Sequence, residues 1–112
     1  MPLSEIDINT LLKEMTEAAK KELKSKWKEV KPFAEQQLKS FAENIKMIAV
    51  LKAKGKINEE KARLHLAIQK ESARTVLLTI EGIGLIAAEN AINAAIKVVQ
   101  TTVNKSIGWA LL

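Results

Sequence analysis

Cysteine is absent from this chain, and so is tyrosine. Without cysteine there are no disulfides, no thiolate nucleophile and no cysteine-ligated zinc. The aromatic side chains are 2 Trp and 2 Phe, so any core must be built mainly from aliphatic residues. Only 4 Gly and 2 Pro interrupt 112 residues, which leaves few places to turn and implies long elements. Residues 1–56 contain no arginine, so bidentate recognition of phosphate or guanine is poorly served there.

Reactive constellations are also missing. The one histidine, His65, has no acid three or four residues before it. A metal centre in a helical bundle is built from inward glutamates and Glu-x-x-His pairs, and that pattern does not occur. No Ser/His/Asp arrangement or nucleophile elbow is present. Gly82-Ile83-Gly84 lacks the third glycine of a dinucleotide loop and follows no strand pattern. No catalytic, metal or cofactor-binding residue is assigned, no cofactor is expected, and the chain reads as non-enzymatic. Met1 to Lys13 has acids before any base and no apolar core of signal-peptide length. A cysteine-free chain of this kind is compatible with the cytoplasm, the compartment expected.

What is present is a helix-forming mixture of Ala, Leu, Lys, Glu and Ile. Its length fits a single domain, residues 1–112. Apolar content is 47%, ordinary for a globular chain and too high for a disordered one. The net charge of +5 is uneven: residues 1–56 hold 12 basic and 8 acidic side chains, residues 57–112 hold 6 and 5. A polar first half laid over an apolar second half follows.

Apolar residues recur at Ile8, Leu12, Met15, Ala19, Leu23, Trp27, Val30, Ala34, Leu38, Phe41, Ile45 and Ile48. The spacings are three or four throughout, the period of a helix. Ser4, Asp7 or Asn9 could cap its start. The stripe passes Pro32 in phase, and no Gly, Asn, Asp or Ser lies beside that proline, so a kink is preferred there to a turn. The clear turn is Lys52 to Asn58. Lysines suit the end of the first helix, Gly55 suits a left-handed residue, and Asn58 with Glu59 and Glu60 suits a new N-terminus.

The most apolar run is Val76 to Val99, in which only Glu81, Glu89 and Lys97 are charged. A polar stripe through Arg63, Lys70, Arg74, Glu81, Glu89, Asn93, Lys97, Gln100 and Asn104 follows one side of a long helix. Leu64, Ile68, Val76, Ile80, Ile83, Ala87, Ala91, Ala94 and Val98 occupy its other faces. Gly82 and Gly84 each cost about 1 kcal/mol inside a helix, and continuity or a mild kink is preferred to a break.

The fold expected is all-α: a long antiparallel hairpin turning at Gly55, roughly 75 Å long at 1.5 Å per residue, and pairing into a four-helix bundle. The alternative is a single-chain, up-down four-helix bundle with breaks at Pro32 and Gly82–Gly84. Two helices cannot cover the apolar run, so a homo-oligomer is expected, a dimer first. Its self-association seam would be Leu77, Ile80, Ile83, Ile86, Ala87, Ala91 and Ala94.

The function that follows is a structural or interaction module whose apolar seam recruits its own copies or a partner helix. A membrane-active hairpin inserting residues 76–99 is the main alternative, since that run has about the length of a bilayer span. Its glutamates and asparagines, and a polar stripe continuing on both sides, argue against it. A further alternative is nucleic acid or another polyanion held by Lys20, Lys24, Lys28 and Lys31 around Trp27. Pairs such as Glu17/Lys21 and Glu22/Lys26 are equally ordinary on a solvated face. The apolar tail Ile107 to Leu112 is expected to dock internally, against Leu3, Ile6 and Ile8, the alternative being a tag for a partner or membrane.

Overall fold

Helix ends in this chain are set by local chemistry wherever that chemistry is strong. In the computed structural model, which describes residues 7–112, α1 spans Ile8–Leu23. Asp7 caps it, accepting from the Asn9 N–H at 2.9 Å and the Thr10 hydroxyl at 2.8 Å. Ser4, Leu3 and Ile6 lie outside the described residues. Next come a 3-10 turn, Lys24–Lys26, and α2, Trp27–Ala53. Gly55 takes the left-handed conformation (φ 68°) and Asn58 caps α3, Glu59–Leu78, accepting from the Lys61 N–H at 2.8 Å. After a turn in which Gly82 has φ 91°, α4 runs over Leu85–Ile107 and ends on left-handed Gly108.

The helical run 8–53 is 46 residues long. As one rod it would measure about 69 Å, yet the molecule's longest dimension is 43 Å. The run therefore folds back on itself, and it does so at Lys24, whose φ of 51° and ψ of −120° leave the helical region. Such values suit the first central residue of a mirror-image hairpin turn, a place for glycine. Pro32 breaks nothing. It sits in the second turn of α2 on the exposed side, and the carbonyl it leaves unpaired belongs to exposed Lys28.

Direction follows from three contacts. Lys52 Nζ donates to the Ile107 carbonyl, so the C-terminal ends of α2 and α4 lie together. Lys26 Nζ lies 3.2 Å from where a Cβ on Gly82 would be, so their starts lie together too. The charge of Lys46 is felt at Asp7, which places the start of α1 beside the second half of α2. Neighbours in space are α1 with α2 and α4, and α3 with α2 and α4, with little diagonal contact between α2 and α4. The chain is an up-down-up-down four-helix bundle.

The expected long hairpin is corrected accordingly. The Gly55 reversal exists, but each arm is folded in two, and one chain supplies all four helices. The single-chain alternative describes the fold, with its first break at Lys24–Lys26 instead of Pro32. The second break, at Gly82–Gly84, is real, so α3 and α4 are not one helix. Lys26 stands opposite Gly82.

The core runs the length of the bundle. Ten of the twelve stripe positions from Ile8 to Ile48 are buried, with Ile8 and Leu12 packed at its edge. Opposite them stand Ala62, Leu66, Ala73 and Leu77 from α3, and Ala88, Ala91, Ile92, Ala95, Val99 and Val103 from α4.

Candidate functional site

The seam expected for self-association is largely used by the chain itself. Leu77, Ile83 and Ala91 are buried in the core, and Ile80 and Ala87 pack partly buried against it. Ala94 is half-buried beside Ala18 and Val98 in a shallow depression between α1 and α4. Ile86 alone faces out, 74% exposed. The premise that this run needs cover from a second copy is thus removed: α1 is the cover. The run 76–99 is also divided by the turn, and no described helix is long and apolar enough to cross a membrane.

Exposed apolar side chains lie elsewhere. On α3, Leu64 is 60% and Ile68 56% exposed. The sequence puts both off the polar stripe, on the other faces of the helix. The helical phase explains the difference: Ala62, Leu66, Ala73 and Leu77 point inward, which turns Leu64 and Ile68 directly outward with Lys61, Glu71 and Thr75. In the sequence that phase is marked partly by the small Ala62 and Ala73, a fainter signal than Leu64 and Ile68.

The lysine face is a corner. Lys20 and Lys24 line one shallow depression with Lys21 and Glu17. Lys28 and Lys31 follow in the first turns of α2, on the far side of the reversal. All four are exposed. Among the described residues Lys20, Lys24 and Lys28 have no ion-pair partner, while Lys31 reaches Glu35 at 3.8 Å. Trp27 is buried, a core residue and not a stacking platform.

The residues of the polar stripe do more than face water. Asn104 Oδ1 accepts from the main-chain N–H of Leu111 at 2.9 Å and of Leu112 at 3.0 Å. Gln100 Nε2 donates to the Leu112 main-chain oxygen at 2.8 Å, and Arg63 Nε to the Ala110 carbonyl at 3.1 Å. The tail is therefore docked internally, as expected, but against α3 and α4. Trp109 is half-buried, with Lys52 Nζ 4.6 Å from its ring centroid.

His65 ties α3 to α2. The Asn44 amide donates to the Ser40 carbonyl at 2.7 Å, which leaves Asn44 Oδ1 to accept from His65 Nε2, also at 2.7 Å. Among the described residues two carboxyls are shifted, both downward. Asp7 is lowered by the Thr10 hydroxyl and then the Asn9 N–H. Glu71 is lowered by the hydrogen bond and charge of Arg74, 2.7 Å away, and Arg74 is raised in return. Among the described residues no group of His, Asp and Glu is placed to hold a metal.

Nothing matches this chain among protein-family models, curated proteins or solved structures.

Proposed function

We propose that this chain is a non-catalytic interaction module that pairs reversibly with a second copy through the outward face of α3. The observation that carries the reading is the order of residues on that face. Lys61, Leu64, Ile68 and Glu71 are exposed and lie on one line along the helix. Turned end over end about a point between Leu64 and Ile68, the line matches itself: Leu64 meets Ile68 of the other copy, and Lys61 meets Glu71. A two-fold interface needs that self-complementarity. Two aliphatic side chains per copy cover far less than the roughly 800 Å² per partner of a stable complex. The pair is accordingly weak, with a dissociation constant on the order of 100 μM.

Sedimentation equilibrium tests this. The mass should rise from 12.4 kDa toward twice that value as concentration increases. Leu64→Glu with Ile68→Glu should stay monomeric at unchanged helicity. A wild-type chain that remains monomeric to millimolar concentration, or a double variant that pairs as well as wild type, overturns the reading.

A second reading is favoured by the Lys24 reversal, which gathers Lys20, Lys24, Lys28 and Lys31 at one corner of the bundle. A polyanion bound there would release counterions and lose affinity steeply with salt. Lys24→Glu with Lys28→Glu should abolish retention on heparin. Retention unaffected by that pair excludes the corner.

A further inference from the structure

The Gly108–Leu112 segment turns at Gly108 (φ 84°) and lies back across α4 toward α3. What holds it is directed almost wholly at its main chain. Asn104 takes two successive N–H groups on one oxygen, at 2.9 and 3.0 Å, and its Nδ2 reaches the Leu112 oxygen at 3.3 Å. Gln100 and Arg63 supply the other donors. The Leu111 N–H also reaches back to the Trp109 carbonyl at 3.0 Å, so the segment is held as a tight turn at Ala110, and side-chain selection falls to the pockets beneath. Here one pocket is filled. Leu111 is 5% exposed and packs in the groove between α3 and α4. Beside it a cleft of about 210 Å³ remains, lined by Phe41, Leu66, Lys70 and Ile96. The groove is larger than the side chain that occupies it.

We propose that this α3/α4 groove is a binding site for a turned apolar peptide segment of a partner protein, and that Trp109–Leu112 is its resident, displaceable occupant. The partner segment carries a large apolar side chain, aromatic by preference, at the position Leu111 now fills. It offers its main chain to Asn104, Gln100 and Arg63, and an aromatic two residues earlier to Lys52. The chain's own tail is the template for that ligand. Tethered a few residues away, it is present at millimolar effective concentration or more and holds the site shut against weak competitors. The site lies on a different side of α3 from Leu64 and Ile68, so it stands whether or not two copies pair.

The test uses the full chain and a dye-labelled peptide carrying residues 108–112. Leu111→Asp unseats the tail; adding Asn104→Ala removes the receptor for the main chain. Fluorescence anisotropy should show at least tenfold tighter binding to Leu111→Asp than to wild type, and loss of that gain in Leu111→Asp/Asn104→Ala. A second peptide bearing Leu111→Phe should bind more tightly than the first. Equal binding to wild type and Leu111→Asp, or binding indifferent to Asn104→Ala, overturns the proposal. A Leu111→Phe peptide that binds no better overturns the claim that the groove is sized for a larger group. Helicity by circular dichroism is followed in parallel. If Leu111→Asp loses helicity, Leu111→Ser vacates the same pocket without a charge and is judged by the same outcomes.

Discussion

Helix α4 meets α1 along one side and α3 along another, and the two seams are built from different materials. Toward α1, α4 brings small side chains, Ala88, Ala91 and Ala95 in the core with Ala94 beside Ala18 at the edge, while α1 buries the larger Leu11 and Met15. Methyl-sized side chains let the axes come close, and this is the most extensive helix pair in the molecule. Between α3 and α4 contact is sparser, and the gap is finished by Leu111 and a strap of hydrogen bonds from Arg63, Gln100 and Asn104. The first seam is closed by fit and the second by an added piece.

Substitutions should separate the two. The largest effect is expected from Ala91→Leu, which forces a branched side chain into the close seam and should cost about 3 kcal/mol. That is roughly 12 °C in melting temperature for a chain of this size. Leu111→Ala removes a buried side chain at the strap and should cost about 2 kcal/mol. It should also raise hydrogen exchange in the tail and along the facing side of α3 while α1 stays protected. If Ala91→Leu is tolerated and Leu111→Ala unfolds the chain, the comparison is upside down. Lys24→Gly should stabilise by about 1 kcal/mol, read as a higher urea midpoint, because the α1/α4 seam holds a lysine where glycine fits better.

The smallest effect concerns acid. Asp7 at the head of α1 and Glu71 on α3 both have lowered pKa values in the folded chain. Each contributes stability that is present above the ordinary carboxylate range, about pH 4, and is lost as pH falls through the lowered value. Asp7→Asn keeps a capping oxygen but cannot titrate. It should flatten the fall in melting temperature below about pH 4, and a slope identical to wild type would remove Asp7 from that account.

Much of this architecture could be read from residue order. The stripe from Met15 to Ile48 is the core face of α1 and α2, and Gly55 with Asn58 makes the turn their chemistry implies. The Lys24 reversal was not legible, because Leu23 and Trp27 keep the helical spacing across it. The only turn-forming residue nearby is Ser25, and the corner is imposed by packing. Pro32, eight residues on from Lys24, has the chemistry of a helix breaker and breaks nothing. The tail's internal docking was foreseen, but not its receptor: Asn104 and Gln100 look like water-facing residues until the tail lies across them. The seam residues were misread for a related reason. The need of Val76–Val99 for cover was real, but a folded-back α1 satisfies it, and that depends on the corner.

The Lys24 corner also orders events in time. The Gly55 turn carries its own instructions, so α2 and α3 can join as neighbours early, at little loss from loop closure. Lys24 carries no such instruction, so α1 is expected to dock later, once α4 is in place to hold it. Stopped-flow measurements should therefore find that Asn58→Ala slows folding, whereas Leu11→Ala in α1 mainly accelerates unfolding. On this account α1, first of the four helices in sequence, is the last to settle.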